Sequence, residues 1–254
     1  MQQKQIISLR VHQLTYGAAV RETVRMAASR QPAYVCFANA HMIAEAHRDP
    51  VFAQQINAAH LVLADGMPVA RAFEWLHGVR QDRIAGMDFM PSVVAAAAEA
   101  NVKLYLFGSR PEILRMITQR IRREHPDLEV SGAFSPPFGK WSAENNDTYI
   151  ENIRNSGAQI VLVSLGCPKQ ETWMAQHYQR MNAVLVGIGG VFEVYGGLRQ
   201  RAPVWMQRWA LEWLYRLLQE PGRMLKRYAV TNSIFIVLLL RQWLGIRGIR
   251  FFKK

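Results

Sequence analysis

Cysteine is almost missing from this chain. Cys36 and Cys167 are the only two in 254 residues, too few for a disulfide framework, and no secretory apolar stretch follows the polar start MQQKQ. Both features point to a reducing cytoplasm. A spanning segment is missing too: the apolar run IFIVLLL at 234–240 is far below the ~20 residues that cross a bilayer. The seven histidines show no metal-ligand spacing, so a zinc site is not expected. There is no G-x-S-x-G elbow, no phosphate-binding G-x-x-x-x-G-K-S/T loop and no D-x-D pair, which removes several familiar hydrolase, NTPase and metal-dependent sugar-nucleotide chemistries. Acidic residues are scarce, 19 against 31 Lys and Arg, leaving a net charge of +12. Half of the residues are apolar and a fifth charged, a globular composition that excludes pervasive disorder.

The excess charge has a location. Residues 199–254 hold 12 basic and two acidic residues, whereas residues 1–198 are close to neutral at +2. The chain therefore divides into a body, 1–198, and a basic C-terminal helical appendage, 199–254. That appendage is also apolar, with Trp243, Leu244, Ile246, Ile249, Phe251 and Phe252 interleaved with Arg and Lys. Such a pattern suits a segment lying among anionic lipid headgroups; a last helix packed on the core with solvated charges is the alternative, and the two are compatible. Ending the chain before Ser233 is expected to lower membrane association and leave the body folded.

Within the body, short apolar stretches at 33–38, 61–64, 102–107, 128–131, 159–165 and 183–186 alternate with helical patterns at 16–30, 68–76, 87–100, 111–124, 143–155 and 169–180. A strand or hairpin arm is expected at 6–14, and Asp49-Pro50 opens a further helical stretch to about 59. Continuously apolar strands alternating with helices predict an α/β, Rossmann-like, mostly parallel sheet with helices on both faces. Ligands of such sheets bind outside the carboxyl ends of the strands. Asn39, Asp65, Gly108-Ser109, Gly166-Cys167-Pro168 and Gly187-Ile188-Gly189-Gly190 fall on that rim. The GIGG stretch is a weak dinucleotide fingerprint, because it comes late and lacks a third glycine at the required spacing. Taken singly, Asn39 and Asp65 read as helix caps, Arg83 as a surface residue and Lys169-Gln170-Glu171 as a solvated first turn.

Five ordered blocks change that reading: Asn39-Ala40; LADG at 63–66; RIAGMD at 83–88; GCPKQETW at 166–173; and GIGGVFEVYGG at 187–197. With RAPVWMQRWALEWLYRLLQEPGR at 201–223, the chain resembles the WecG/TagA/CpsF family of bacterial glycosyltransferases. The resemblance implies an inverting transfer from a UDP-sugar donor to a saccharide on a polyprenyl diphosphate, at the cytoplasmic face of the bacterial plasma membrane. The product would enter teichoic acid, common antigen or exopolysaccharide. No cofactor or metal is implied, in keeping with the missing D-x-D. Asp65 matches the base; Asn39, Arg83 and Gln170 match residues that orient sugar or acceptor; Gly189 and Gly190 match a close backbone approach to the nucleotide. Arg216, Arg223 and Lys226 stand where the family places three basic residues against the diphosphate. Lys226 replaces the usual Arg, and adjacent Arg227 is the other claimant.

Phe37 stands where better-known members have Thr, which would remove a hydrogen bond to sugar or diphosphate and favour an exopolysaccharide-type hexosyl donor. His41 reads either as part of that change or as an ordinary helix-face residue. Trp205, Trp209 and Trp213 recur every four residues and read as a stripe docking a helix on the core, with Glu212 and Arg216 spaced as a helical ion pair. Two rivals remain: an inactive scaffold, and a nucleic-acid binder suggested by charge but by no motif, so that no nucleic-acid partner is expected. The partners expected are the donor, the lipid-linked acceptor and an anionic membrane surface met by 221–254; a homo-oligomer stays open.

Overall fold

Strands that are apolar at every position must be covered on both faces, and the computed structural model, which describes residues 1–209 and 211–251, covers them so. Its six-stranded sheet is parallel throughout. The order is β4 (Leu61–Ala64), β3 (Ala33–Ala38), β8 (Val184–Gly187), β7 (Ile160–Ser164), β5 (Leu104–Gly108), β6 (Val130–Phe134). The α/β, Rossmann-like expectation holds. A separate hairpin of β1 (Gln3–Ile6) and β2 (Leu9–His12) replaces the single arm expected at 6–14.

Alternation along each strand divides the core. Tyr34, Cys36 and Ala38 of β3 face one cluster with α2 (Ala40–Arg48), α3 (Pro50–Asn57), α4 (Met67–His77), α7 (Ala143–Asn155) and α8 (Lys169–His177). Ala33, Val35 and Phe37 face the other, with α1 (Tyr16–Ala28), α5 (Gly86–Glu99), α6 (Pro111–Glu124) and α9 (Val191–Tyr195). Because the helices after β3 and β8 depart to opposite faces of the sheet, these neighbouring strands open a crevice at their carboxyl ends. Local chemistry starts the helices on cue. Asn39 caps α2 through a bond to Met42 N, and Asp49 caps α3 with Pro50 in its first turn.

The C-terminal segment folds back on this body. After α10 (Val204–Arg208) and α11 (Glu212–Gln219) comes a 31-residue helix, α12 (Pro221–Phe251). Phe235 and Leu239, one turn apart, are buried in the cluster with α2 and α4. Gln242 ties the helix to the hairpin, accepting from Ile7 N at 2.7 Å and donating to Gln5 O at 3.0 Å. The opposite side of α12 leaves Ile236, Val237, Leu240 and Leu244 about half exposed. The helix is both a core element and an apolar surface. Ending the chain before Ser233 therefore removes core side chains, and truncations of single buried Phe or Leu residues already cost about 2–5 kcal/mol each; the expectation that the body stays folded is corrected.

Two further expectations change. Trp205, Trp209 and Trp213 do not dock on the core: they are 58%, 76% and 45% exposed, because the helix is interrupted between α10 and α11. The helical pattern expected at 169–180 stops at His177 and continues as one 3-10 turn. Phe252, Lys253 and Lys254 lie outside the described residues.

Candidate active site

The crevice is organised by an amide and a carboxylate. Asn39 spends its Oδ1 on the cap of α2, accepting from Met42 N at 3.0 Å, which turns its Nδ2 toward Asp65, where it donates to Oδ2 at 3.2 Å. Asp65 is placed by the sheet, since its backbone N extends the β3–β4 ladder to Ala38 O at 2.9 Å. Gly66, at φ +87°, then turns the chain into α4. Burial raises the pKa of Asp65; the bond from Asn39 and the charges of Arg216 and Arg83 oppose that rise, and Glu212 adds to it. The net effect is a stronger base than an ordinary aspartate.

Arg83 leaves the loop before α5 and meets two carboxylates. Its Nη1 donates to Glu212 Oε2 at 2.5 Å and its Nη2 to Asp88 Oδ2 at 2.9 Å. Arg201 reaches the same pair, with Asp88 Oδ1 at 2.6 Å and Glu212 Oε1 at 3.4 Å. Four side chains from body and C-terminal segment thus close a ring of balanced charge. The expected pairing of Glu212 with Arg216 is corrected: Glu212 turns to the two guanidinium groups of the ring, and among the described residues Arg216 is in no ion pair. Arg216 is exposed and lines a pocket of about 70 Å³ with Gly190, Arg201, Glu212 and Tyr215. Arg199, on the same pocket, is held by Glu193 at 2.8 Å and by Glu220.

Gln170, expected to orient the sugar, is buried beneath the rim. Its Oε1 accepts from Gly189 N at 3.0 Å and Leu165 N at 3.3 Å, and its Nε2 donates to Glu171 at 2.9 Å. It shapes the rim by joining the ends of β7 and β8. Gly187 leaves room for it: a Cβ there would stand 2.6 Å from Gln170 Nε2 and 2.7 Å from Met174 Cε, so a larger residue would displace both side-chain ends. Gly189 adopts φ +57°, and Gly190 has nothing within 4 Å of a Cβ position, so the backbone is open to a ligand here. Phe37 is buried against Phe89 of α5, ring centroids 5.1 Å apart. His41 lies in the first turn of α2, 3.9 Å from Glu45.

Asn39, Asp65, Arg83 and Arg216 are thus brought together, with Gly189 and Gly190 alongside. The backbone carries Arg223, Lys226 and Arg227 into the first turns of α12, but their side chains lie outside what the structure describes. Asp88, Arg201 and Glu212 went unnoticed as a set, although all four ring residues sit inside the RIAGMD and RAPVWMQRWALEW blocks. Among the described residues no group of three or more His, Cys, Asp or Glu could hold a metal ion.

A parallel sheet with a buried carboxylate and cations at its carboxyl rim is a frame suited to a group-transfer enzyme. The Glycosyl transferase WecG/TagA/CpsF family matches residues 4–248, and the chain belongs to that family. A curated relative from Bacillus spizizenii (strain ATCC 23059 / NRRL B-14472 / W23) is 30% identical over 207 residues, covering 81% of this chain and 79% of the relative. That protein is named N-acetylglucosaminyldiphosphoundecaprenol N-acetyl-beta-D-mannosaminyltransferase.

Proposed function

We propose that the chain transfers a sugar, with inversion and without a metal, from a UDP-sugar to a saccharide carried on a polyprenyl diphosphate, in the synthesis of a bacterial cell-surface polysaccharide. The observation that carries this reading is the Asn39–Asp65 pair at the β3–β4 rim, within the field of Arg83 and Arg216. Family membership and the relative's lipid-linked acceptor support it. In the transfer, the acceptor oxygen forms a bond to the anomeric carbon and gives its proton to Asp65. The bond from that carbon to the diphosphate oxygen breaks on the opposite face, and UDP leaves with the electron pair. Arg216, with the backbone N–H of Gly190 beside it, offsets the charge that develops.

The test is transfer from UDP-N-acetylmannosamine, UDP-N-acetylmannosaminuronic acid and UDP-glucose to a polyprenyl-diphosphate-linked N-acetylglucosamine and to other lipid-linked saccharides. One donor–acceptor pair is expected to turn over without added divalent ion and to give the inverted anomer. UDP binding with no turnover on any pair would favour the scaffold instead.

The same reading places the protein on the cytoplasmic membrane surface. Among the described residues no helix is long and apolar enough to cross a membrane, yet Ile236, Val237, Leu240 and Leu244 project from α12, and Trp205, Trp209 and Trp213 are also exposed. Interfacial burial of such a face next to basic residues gives reversible binding. Replacing Ile236, Val237 and Leu240 together by Ser is expected to lower flotation with anionic liposomes by about tenfold or more with an unchanged thermal midpoint. Flotation equal to the parent's would reject this face as the contact.

A further inference from the structure

The ring of Arg83, Asp88, Arg201 and Glu212 does more than its charges alone require. Two of its members, Arg83 and Asp88, belong to the body at the start of α5; Arg201 and Glu212 lie 113 and 129 residues away from their partners, in the C-terminal segment. Each guanidinium bonds both carboxylates, so neither arginine can swing without breaking two contacts. The side chains are 20–33% exposed, sheltered enough for charge-assisted bonds to hold direction. Glu212 opens α11, and Arg216 follows one helical turn later. A fixed Glu212 therefore fixes the face on which Arg216 points.

We propose that Glu212 and Asp88 are positioning residues for the transfer: their carboxylates close a ring with Arg83 and Arg201 that clamps the C-terminal segment to the body and so aims Arg83 and Arg216 at Asp65. The proposal rests on Asp65 being the base. Without the ring, α11 loses its anchor beside the crevice, and Arg83 loses the two carboxylates that hold its fork. The groups facing Asp65 are Asn39 from the cap of α2, Arg83 from the loop before α5, and Arg216 and Glu212 from α11. Glu212 is the carboxylate among them, so its charge supports the raised proton affinity of the base while its bonds hold the arginine.

The experiment uses the full chain and the donor–acceptor pair that turns over. Glu212→Gln is expected to lower kcat by about tenfold, short of the roughly hundredfold that a 1 Å misplacement can cost. It should also displace the acid limb of the kcat profile to lower pH, because removing a negative neighbour lowers the pKa of Asp65. Trypsin is expected to cut within 199–220 faster. Glu212→Asp should recover part of the rate, and Asp88→Asn, which breaks the ring from the body side, should speed tryptic cleavage likewise. A Glu212→Gln enzyme with the parent's kcat, an unmoved acid limb or parental cleavage would overturn the proposal. Asp65→Asn separates the two ideas: if it keeps full rate, the base assignment fails, whereas an inactive Asp65→Asn beside an unaltered Glu212→Gln defeats the ring alone.

Discussion

Asp65→Asn is expected to lower kcat by about 10²–10⁴-fold, the range a positioned general base supplies, in a protein that stays folded and still binds UDP. The amide keeps the size of the carboxylate, and its oxygen can still accept from Asn39 Nδ2, which now stands 3.2 Å from Asp65 Oδ2. Stability should not suffer. Burial is the largest influence on Asp65 and raises its pKa, so the folded state disfavours the ionised carboxylate at neutral pH, and a neutral amide removes that cost. The loss is confined to the step in which the acceptor hydroxyl gives up its proton. In the parent enzyme, kcat should fall with acidification through a pKa above that of an ordinary aspartate, because the base is lost on protonation. Transfer assays across pH, with thermal melts of both proteins, check each part; full activity in Asp65→Asn would remove the base assignment.

Much of this site could be read before any coordinates, for a physical reason. A strand covered on both faces has little room for polar side chains, so AYVCFA and LVLA announced β3 and β4, and the residues that end them, Asn39 and Asp65, fell on the rim. The pairing of the two follows from a local rule, since a cap that uses the Asn oxygen leaves the Asn nitrogen to point outward. The ring had no such signature. Its contacts join residues more than a hundred positions apart, and charges at irregular spacing carry no period. Glu212 and Arg216 do share a helix one turn apart, but a carboxylate within reach of two partly buried guanidinium groups is held there in preference to an exposed one. The tryptophan spacing misled because it presumed one helix where the chain forms two. In α12 the run IFIVLLL is apolar at every position, so sequence could not tell which side packs; Phe235 and Leu239 turn inward and Ile236, Val237 and Leu240 outward.

Arg216→Ala is expected to cost about 10²–10³-fold in kcat, the scale of losing one preorganised donor to developing charge. Arg83 and Arg201 are bound in the ring and Arg199 is held by Glu193 and Glu220, so their charges are already balanced by carboxylates. Among the described residues lining the pocket at Gly190, Arg216 is the arginine outside an ion pair, and a departing diphosphate needs a cation whose charge is not spent. Arg216→Lys should restore part of the rate, since a point charge replaces a bidentate fork. Product inhibition by UDP should weaken in Arg216→Ala. The pH profile distinguishes this loss from that of Glu212. Arg216 lowers the pKa of Asp65, so its removal raises that pKa and moves the acid limb upward, whereas Glu212→Gln moves it downward. Opposite displacements are expected from two residues one turn apart on the same short helix. A shared direction, or an Arg216→Ala enzyme with the parent's kcat, would show that α11 does not bring its charges to Asp65 in the way the structure places them.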